Sequence, residues 1–156
     1  SKFLHGANLP SKINKQEAIF AALRQENDQW AATLVLKTPA APEAKAGKKA
    51  APPVLSFQSG QAFGLLSPYI QALGEIGDSE SAAKIAFLLD NLDPLVRRET
   101  VLALGKIGAP ESKKALVGRY ISERDALVQS GIVTALTGPK YGMRYDPKAQ
   151  KFNEER

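Results

Sequence analysis

Few side chains in this sequence could do covalent chemistry, and their spacing narrows the choice further. The 156 residues include one histidine and no cysteine. A serine triad or a Cys–His pair needs a histidine beside its nucleophile. The sole candidate, His5, sits next to Gly6 near the amino end, away from every patterned segment. Without cysteine there can be no thiolate metal site and no disulfide framework. No two histidines share a helical spacing and no His-Glu pair occurs in the patterned region, so zinc- or iron-type ligand sets lack donors. The glycines follow no strand as a phosphate loop would; they recur at regular intervals. The sequence therefore assigns no catalytic, cofactor-binding or metal-binding residue.

Charge offers one other chemistry. The formal net charge is +5, and a basic chain invites a phosphate-tracking role. Residues 1–64 carry eight Lys and Arg against four Asp and Glu, whereas residues 65–156 carry thirteen against twelve. Much of the excess lies in Lys45, Lys48 and Lys49, within a segment also holding Pro39, Pro42, Pro52 and Pro53. Further on, Arg97, Arg98, Lys106, Lys113 and Lys114 are offset by neighbouring acids. A nucleic-acid surface needs a net basic stripe, and the patterned region has none. No apolar run approaches the roughly 20 residues of a membrane span. The chain opens at Ser1 and its only methionine is Met143, so a processed product or a cut fragment is expected.

The elements that position these residues come from a repeat. Ala72-Leu73-Gly74-Glu75-Ile76-Gly77 recurs 31 residues later as Ala103-Leu104-Gly105-Lys106-Ile107-Gly108. A worn third copy, Ala135-Leu136-Thr137-Gly138, follows 32 residues further on. A second marker keeps the same interval: Asp93-Pro94-Leu95-Val96-Arg97 is echoed by Asp125-Ala126-Leu127-Val128-Gln129. Self-similarity at this period signals stacked supersecondary units.

One unit can be read residue by residue. Asp93 suits an N-cap and Pro94 the first helical position, where no N–H is needed. Val96, Thr100, Val101 and Leu104 define one apolar face. Gly105 and Gly108 are read as ending the helix, where positive φ allows a tight turn. Pro110 opens a second helix, with Ala115, Leu116 and Tyr120 on one face. The preceding unit repeats this grammar from Pro68 through Gly77 to Leu89. Neither helix buries its stripe alone, so neighbouring pairs share a core.

These phrases and their spacing resemble the HEAT-like repeats first described in phycobilisome lyases, over residues 65–138. The resemblance implies an all-α, α–α superhelix, a short solenoid of roughly three to four helical hairpins. It also implies a scaffold that binds another protein, or other domains of its parent chain. Its alternatives are a nucleic-acid-binding module and a phycobilin-lyase-like protein. By the same resemblance Asp93 and Arg97 form a hydrogen-bonded ladder within the stack, which Gln129 weakens in the next copy. Gly74, Gly77, Gly105 and Gly108 are structural positions of the repeat.

Around the clear repeats, the chain reads as a single domain spanning 1–156. Gln16 through Asp28 aligns without gaps onto Ser81 through Asp93, so residues 14–37 are a degenerate first repeat. Within it, a new helix is expected to begin at Asp28. A strand at 33–36 pairing with 54–57, giving a small β-hairpin or loop insertion at 33–58, is the alternative. Residues 38–62 are expected to form a flexible insertion and residues 139–156 a cap, with a short helix from Asp146-Pro147 to Phe152. Exposed aromatics and loop cations make Trp30, Lys45, Lys48, Lys49, Tyr141 and Tyr145 the candidate partner-binding residues.

Overall fold

The 31–32-residue interval of the sequence is the interval at which helices pack. The computed structural model of the chain describes residues 11–37 and 60–154. Six helices lead into a two-stranded hairpin: α1 (Ser11–Lys37), α2 (Gln61–Ile76), α3 (Ser79–Ile85), α4 (Pro94–Ile107), α5 (Pro110–Ser122), α6 (Ala126–Thr137), β1 (Arg144–Asp146) and β2 (Lys151–Asn153). A 3₁₀ segment, Ala86–Asp90, prolongs α3. The architecture is the expected all-α helical-hairpin solenoid. The first helices of successive units, α2, α4 and α6, lie side by side, with α1 against the open flank of α2. The second helices form the other layer.

Local chemistry sets the ends of each helix. Asp93 caps α4, its Oδ1 accepting from the Leu95 N–H at 3.0 Å, and Pro94 follows at the first helical position. Gly77 and Gly108 close α2 and α4 with φ of 78° and 73°, in the left-handed region where a Cβ is penalised. Gly105, together with its counterpart Gly74, plays a different part from the expected terminator. Both lie inside their helices, which run on to Ile107 and Ile76. What they provide is close approach. An ideal Cβ on Gly105 would lie 2.6 Å from the Ala135 Cβ, and one on Gly74 would lie 3.3 Å from the Ala103 Cβ. The same Gly-on-Ala contact thus joins α2 to α4 and α4 to α6.

The core runs continuously through the stack. Leu66, Ile70 and Leu73 of α2 and Val96, Val101 and Leu104 of α4 are fully buried, as are Leu116 of α5 and Ile132 and Leu136 of α6. Burying one such side chain stabilises the fold by roughly 1.5–3 kcal/mol.

The ends depart from expectation. Residues 14–37 form no helical hairpin; α1 passes through Asp28 as one helix of 27 residues. The stretch from Glu26 to Ala32 has neither Gly nor Pro, so nothing stops the helix there. Its earlier part does occupy the second-helix place beside α3. Gln16 Nε2 donates to Asp78 Oδ1 and Ser81 Oγ, both at 2.8 Å, and Asn91 Nδ2 donates to Asn27 Oδ1 at 3.3 Å. Residues 33–36 are therefore helical and the strand reading fails; residues 54–57 lie outside the described residues. So does the insertion from 38 to 59, whereas Gln61 and Ala62 belong to α2, with Ala62 fully buried.

At the carboxyl end, a hairpin replaces the expected helix. Asp146 Oδ1 accepts from the N–H groups of Lys148 (3.0 Å) and Ala149 (3.3 Å), closing a turn rather than starting a helix. Tyr145 then pairs with Phe152 across the ladder. These two aromatics alternate with exposed neighbours, the period of a strand rather than a helix.

Candidate protein-binding surface

The residues best placed by type to grip a partner turn out to hold the fold. Trp30 is 5 % exposed and belongs to the core, so it is no surface anchor. Tyr141 is half-buried; its hydroxyl donates to the Ala109 carbonyl at 2.6 Å, and burial pushes its phenol pKa up. Tyr145 shares a hydroxyl–hydroxyl bond with Tyr120. With Phe152 these rings form a three-membered cluster, centroids 5.0–5.7 Å apart, that fastens the hairpin to α5. The shared bond raises the Tyr120 phenol pKa. The stack is brought together by Tyr141 and Tyr145, not extended by them. Lys45, Lys48 and Lys49 lie outside the described residues.

The ladder exists, with other partners than the Asp–Arg pairing. Asp93 is fully buried, and its second oxygen, Oδ2, accepts from the Gly60 N–H (2.8 Å) and the Phe63 N–H (3.1 Å). Helix α2 starts at Gly60, which has no side chain to cap it. One carboxylate therefore caps two successive helices, its own and the one before. Arg97 makes a two-pronged bond to Glu123, Nε to Oε1 at 3.0 Å and Nη2 to Oε2 at 2.8 Å. Its Nη1 donates to the Asn91 carbonyl at 2.8 Å. Gln129 makes the same backbone bond 32 residues on, to the Glu123 carbonyl at 2.9 Å.

Glu123 is the one fully buried acidic side chain in these ion pairs, and its environment decides its role. Burial would push its carboxyl pKa up. Hydrogen bonds from Arg97 and the Asp125 N–H, with the charges of Arg97 and Arg119, outweigh that and hold it below the usual carboxylate range. A carboxylate held ionised between two guanidinium groups has no proton to give near neutrality. It joins units; sequence reading missed it because it falls in the linker, one turn outside the repeated phrase.

The open surface with the most room lies in the second layer. Between α3 and α5 runs a cleft of about 460 Å³. Ala82, Ala83 and Ala86 form one wall, Ala115 the other, and Leu104 the floor. Glu80 and Glu111, 31 residues apart, stand at its mouth in the first turns of α3 and α5. Two narrower grooves mark the first layer, about 230 Å³ between α2 and α4 and about 300 Å³ between α4 and α6, sharing Leu102 and Lys106. The cleft was legible only as alanines at helical spacing, a pattern that reads equally as core. Among the described residues no group of three or more His, Asp or Glu is placed to hold a metal ion. No helix there is long and apolar enough to cross a membrane.

Paired helices stacked at a fixed interval through a shared core define an α-solenoid. Residues 68–137 match the family of HEAT repeats, and that stretch of the chain is a HEAT-repeat array. Such repeats typically mediate protein interactions. No curated protein and no solved structure matches the chain.

Proposed function

We propose that the protein is a non-catalytic scaffold that holds another protein, or another part of its own parent chain, in the cleft between α3 and α5. The observation that carries this reading is the cleft itself: apolar alanine walls over a buried leucine floor, with acidic groups only at the rim. Small side chains leave the helix backbones accessible, so a helix or extended segment can approach closely and lose apolar surface to the floor. The ionised groups of the stack are engaged with one another. Arg97 and Arg119 are tied to Glu123, Lys106 to Glu75, and Lys113 to Glu154. Cations so neutralised make a poor track for phosphates, which favours protein over nucleic acid.

Capture from a native lysate, with nuclease treatment, tests the reading using wild type and Ala115→Trp. Ala115 is exposed on the cleft wall, so the indole fills the cleft without entering the core. A protein partner that survives nuclease and is lost with Ala115→Trp is the expected result. Partners stripped by nuclease favour the nucleic-acid reading, and partners indifferent to Ala115→Trp remove the cleft.

A further inference from the structure

Each first helix of the stack turns one face towards the next. On α4 that face consists of Arg98, Val101, Leu102 and Gly105. An ideal Cβ on Gly131 of α6 would lie 3.3 Å from Arg98 Cγ, 3.8 Å from Val101 Cγ1 and 3.9 Å from Leu102 Cδ2, while Gly105 lies against Ala135. Thirty-two residues on, the same positions of α6 are Ser130, Val133, Thr134 and Thr137. Val101 is fully buried, yet Val133 is only half-buried and the other three are exposed. Leu127, one turn before Ser130 on the same stripe, is 58 % exposed. The hairpin leaves this face open, because it is fastened to α5 by the Tyr120, Tyr145 and Phe152 cluster.

We propose that this face of α6 packs against the same face of a second copy of the chain, the two helices antiparallel. Three features point to a second copy. The face stands where the repeat register puts a helix-receiving surface, continuous with the α4–α6 contact. Among the described helices, α6 alone has no charged residue, Ala126 to Thr137 being Ala, Leu, Val, Gln, Ser, Gly, Ile and Thr throughout. A twofold contact brings each residue near its own copy or close to it, so an uncharged face avoids like-charge repulsion. Ser130 and Thr134 are small enough for close approach, and across a twofold axis each hydroxyl can meet the other's copy. Antiparallel pairing also sets opposite ends of the helix dipoles side by side. Twelve residues give a contact about 18 Å long. That is less than the roughly 800 Å² per partner of a standard interface, so the association is reversible and concentration-dependent.

This inference does not rest on the α3–α5 cleft, and Ala115→Trp leaves it untouched. Sedimentation of the 156-residue chain from about 10 μM to about 1 mM covers the range such a contact calls for. The expected result is a monomer–dimer equilibrium whose dissociation constant rises at least about tenfold in Thr134→Arg, where two guanidinium groups would be buried unpaired. Ser122→Arg, on the exposed end of α5, leaves it unchanged. Circular dichroism checks that both variants stay folded. Because the chain has no cysteine, mixed Ser130→Cys and Thr134→Cys chains should form disulfide heterodimers on mild oxidation, faster than Ser122→Cys chains form homodimers. A chain that stays monomeric throughout, or association indifferent to Thr134→Arg, overturns the proposal.

Discussion

Asp93 and Asp125 occupy the same position in successive units and share a cap geometry, yet they do different amounts of structural work. Asp125 accepts from the N–H groups of Leu127 (2.8 Å) and Val128 (3.2 Å), both in its own helix. Asp93 divides its oxygens, one serving α4 and the other the uncapped start of α2. The difference follows from what precedes each. Helix α4 brings its own aspartate, so Asp125 has no second helix to satisfy; α2 begins at a glycine, so its orphan N–H groups are met from the next unit. Repetition in sequence thus does not mean repetition in energy. A repeat position carries the most where its neighbour departs from the pattern.

The comparison breaks most visibly if the two aspartates are exchanged for alanine. Asp93→Ala removes a cap and leaves the Gly60 and Phe63 N–H groups without their acceptor. The expected loss is about 3 kcal/mol, from a cap of about 1 and unsatisfied donors at about 1–3. Asp125→Ala should cost about 1 kcal/mol. Urea unfolding of the pair measures both. Equal losses would mean that the bridge to α2 contributes nothing.

Arg97 and Gln129 form the next such pair. Both donate to a carbonyl six residues earlier, but only Arg97 also holds a buried carboxylate of the following unit. Arg97→Ala leaves Glu123 to Arg119 alone and should cost about 2–3 kcal/mol, against roughly 0.5–1 for Gln129→Ala. Glu123 adds a pH signature. Its carboxyl pKa is depressed in the folded chain. Its stabilising contribution is therefore complete above the unfolded value of about 4.3 and is lost as pH falls through the folded value. The stability gap between wild type and Glu123→Gln should stay constant from neutral down to about pH 5 and narrow below it. A gap that widens in acid would contradict the assignment.

These differences mark where the sequence was readable. The helices of the clear repeats follow from local rules: Asp93-Pro94 starts a helix, Gly77 and Gly108 stop one, and period-3.6 stripes face inward. Long-range partners do not. Nothing beside Asp93 announces that Gly60 and Phe63, some thirty residues earlier, would need its second oxygen. Gly74 and Gly105 look like terminators because their distinctive property, a missing Cβ, serves a turn and a close contact alike. Trp30, taken for a surface anchor, is core because α1 passes through Asp28 without a break and lays the indole against the stack. Tyr145 and Phe152 read as a helix start because Asp-Pro suits a cap, though the same aspartate closes a hairpin turn equally well. The alanine cleft is visible only once two helices from different units stand side by side.

The smallest and most discriminating contrast lies between those two buried glycines. Both sit in mid-helix, where alanine should gain about 0.5–1 kcal/mol from backbone entropy alone. At Gly74 the new methyl would meet the Ala103 Cβ at 3.3 Å, a distance the neighbouring helix can relieve by a few tenths of an ångström. Gly74→Ala should therefore fall within about 0.5 kcal/mol of wild type, the two effects offsetting. At Gly105 the methyl would lie 2.6 Å from the Ala135 Cβ and 2.9 Å from its Cα. A backbone atom cannot rotate aside, so α6 must move away from α4, and overpacking of this kind costs about 1–3 kcal/mol. Gly105→Ala should be destabilising by about 1–2 kcal/mol after the entropy gain. Hydrogen exchange gives the finer reading: the lost protection should fall on α6 and leave α2 unchanged, since only the last junction is forced apart. Equal protection losses in both helices would mean that the stack unfolds as one unit and that its two junctions, however different in contact, are not independent.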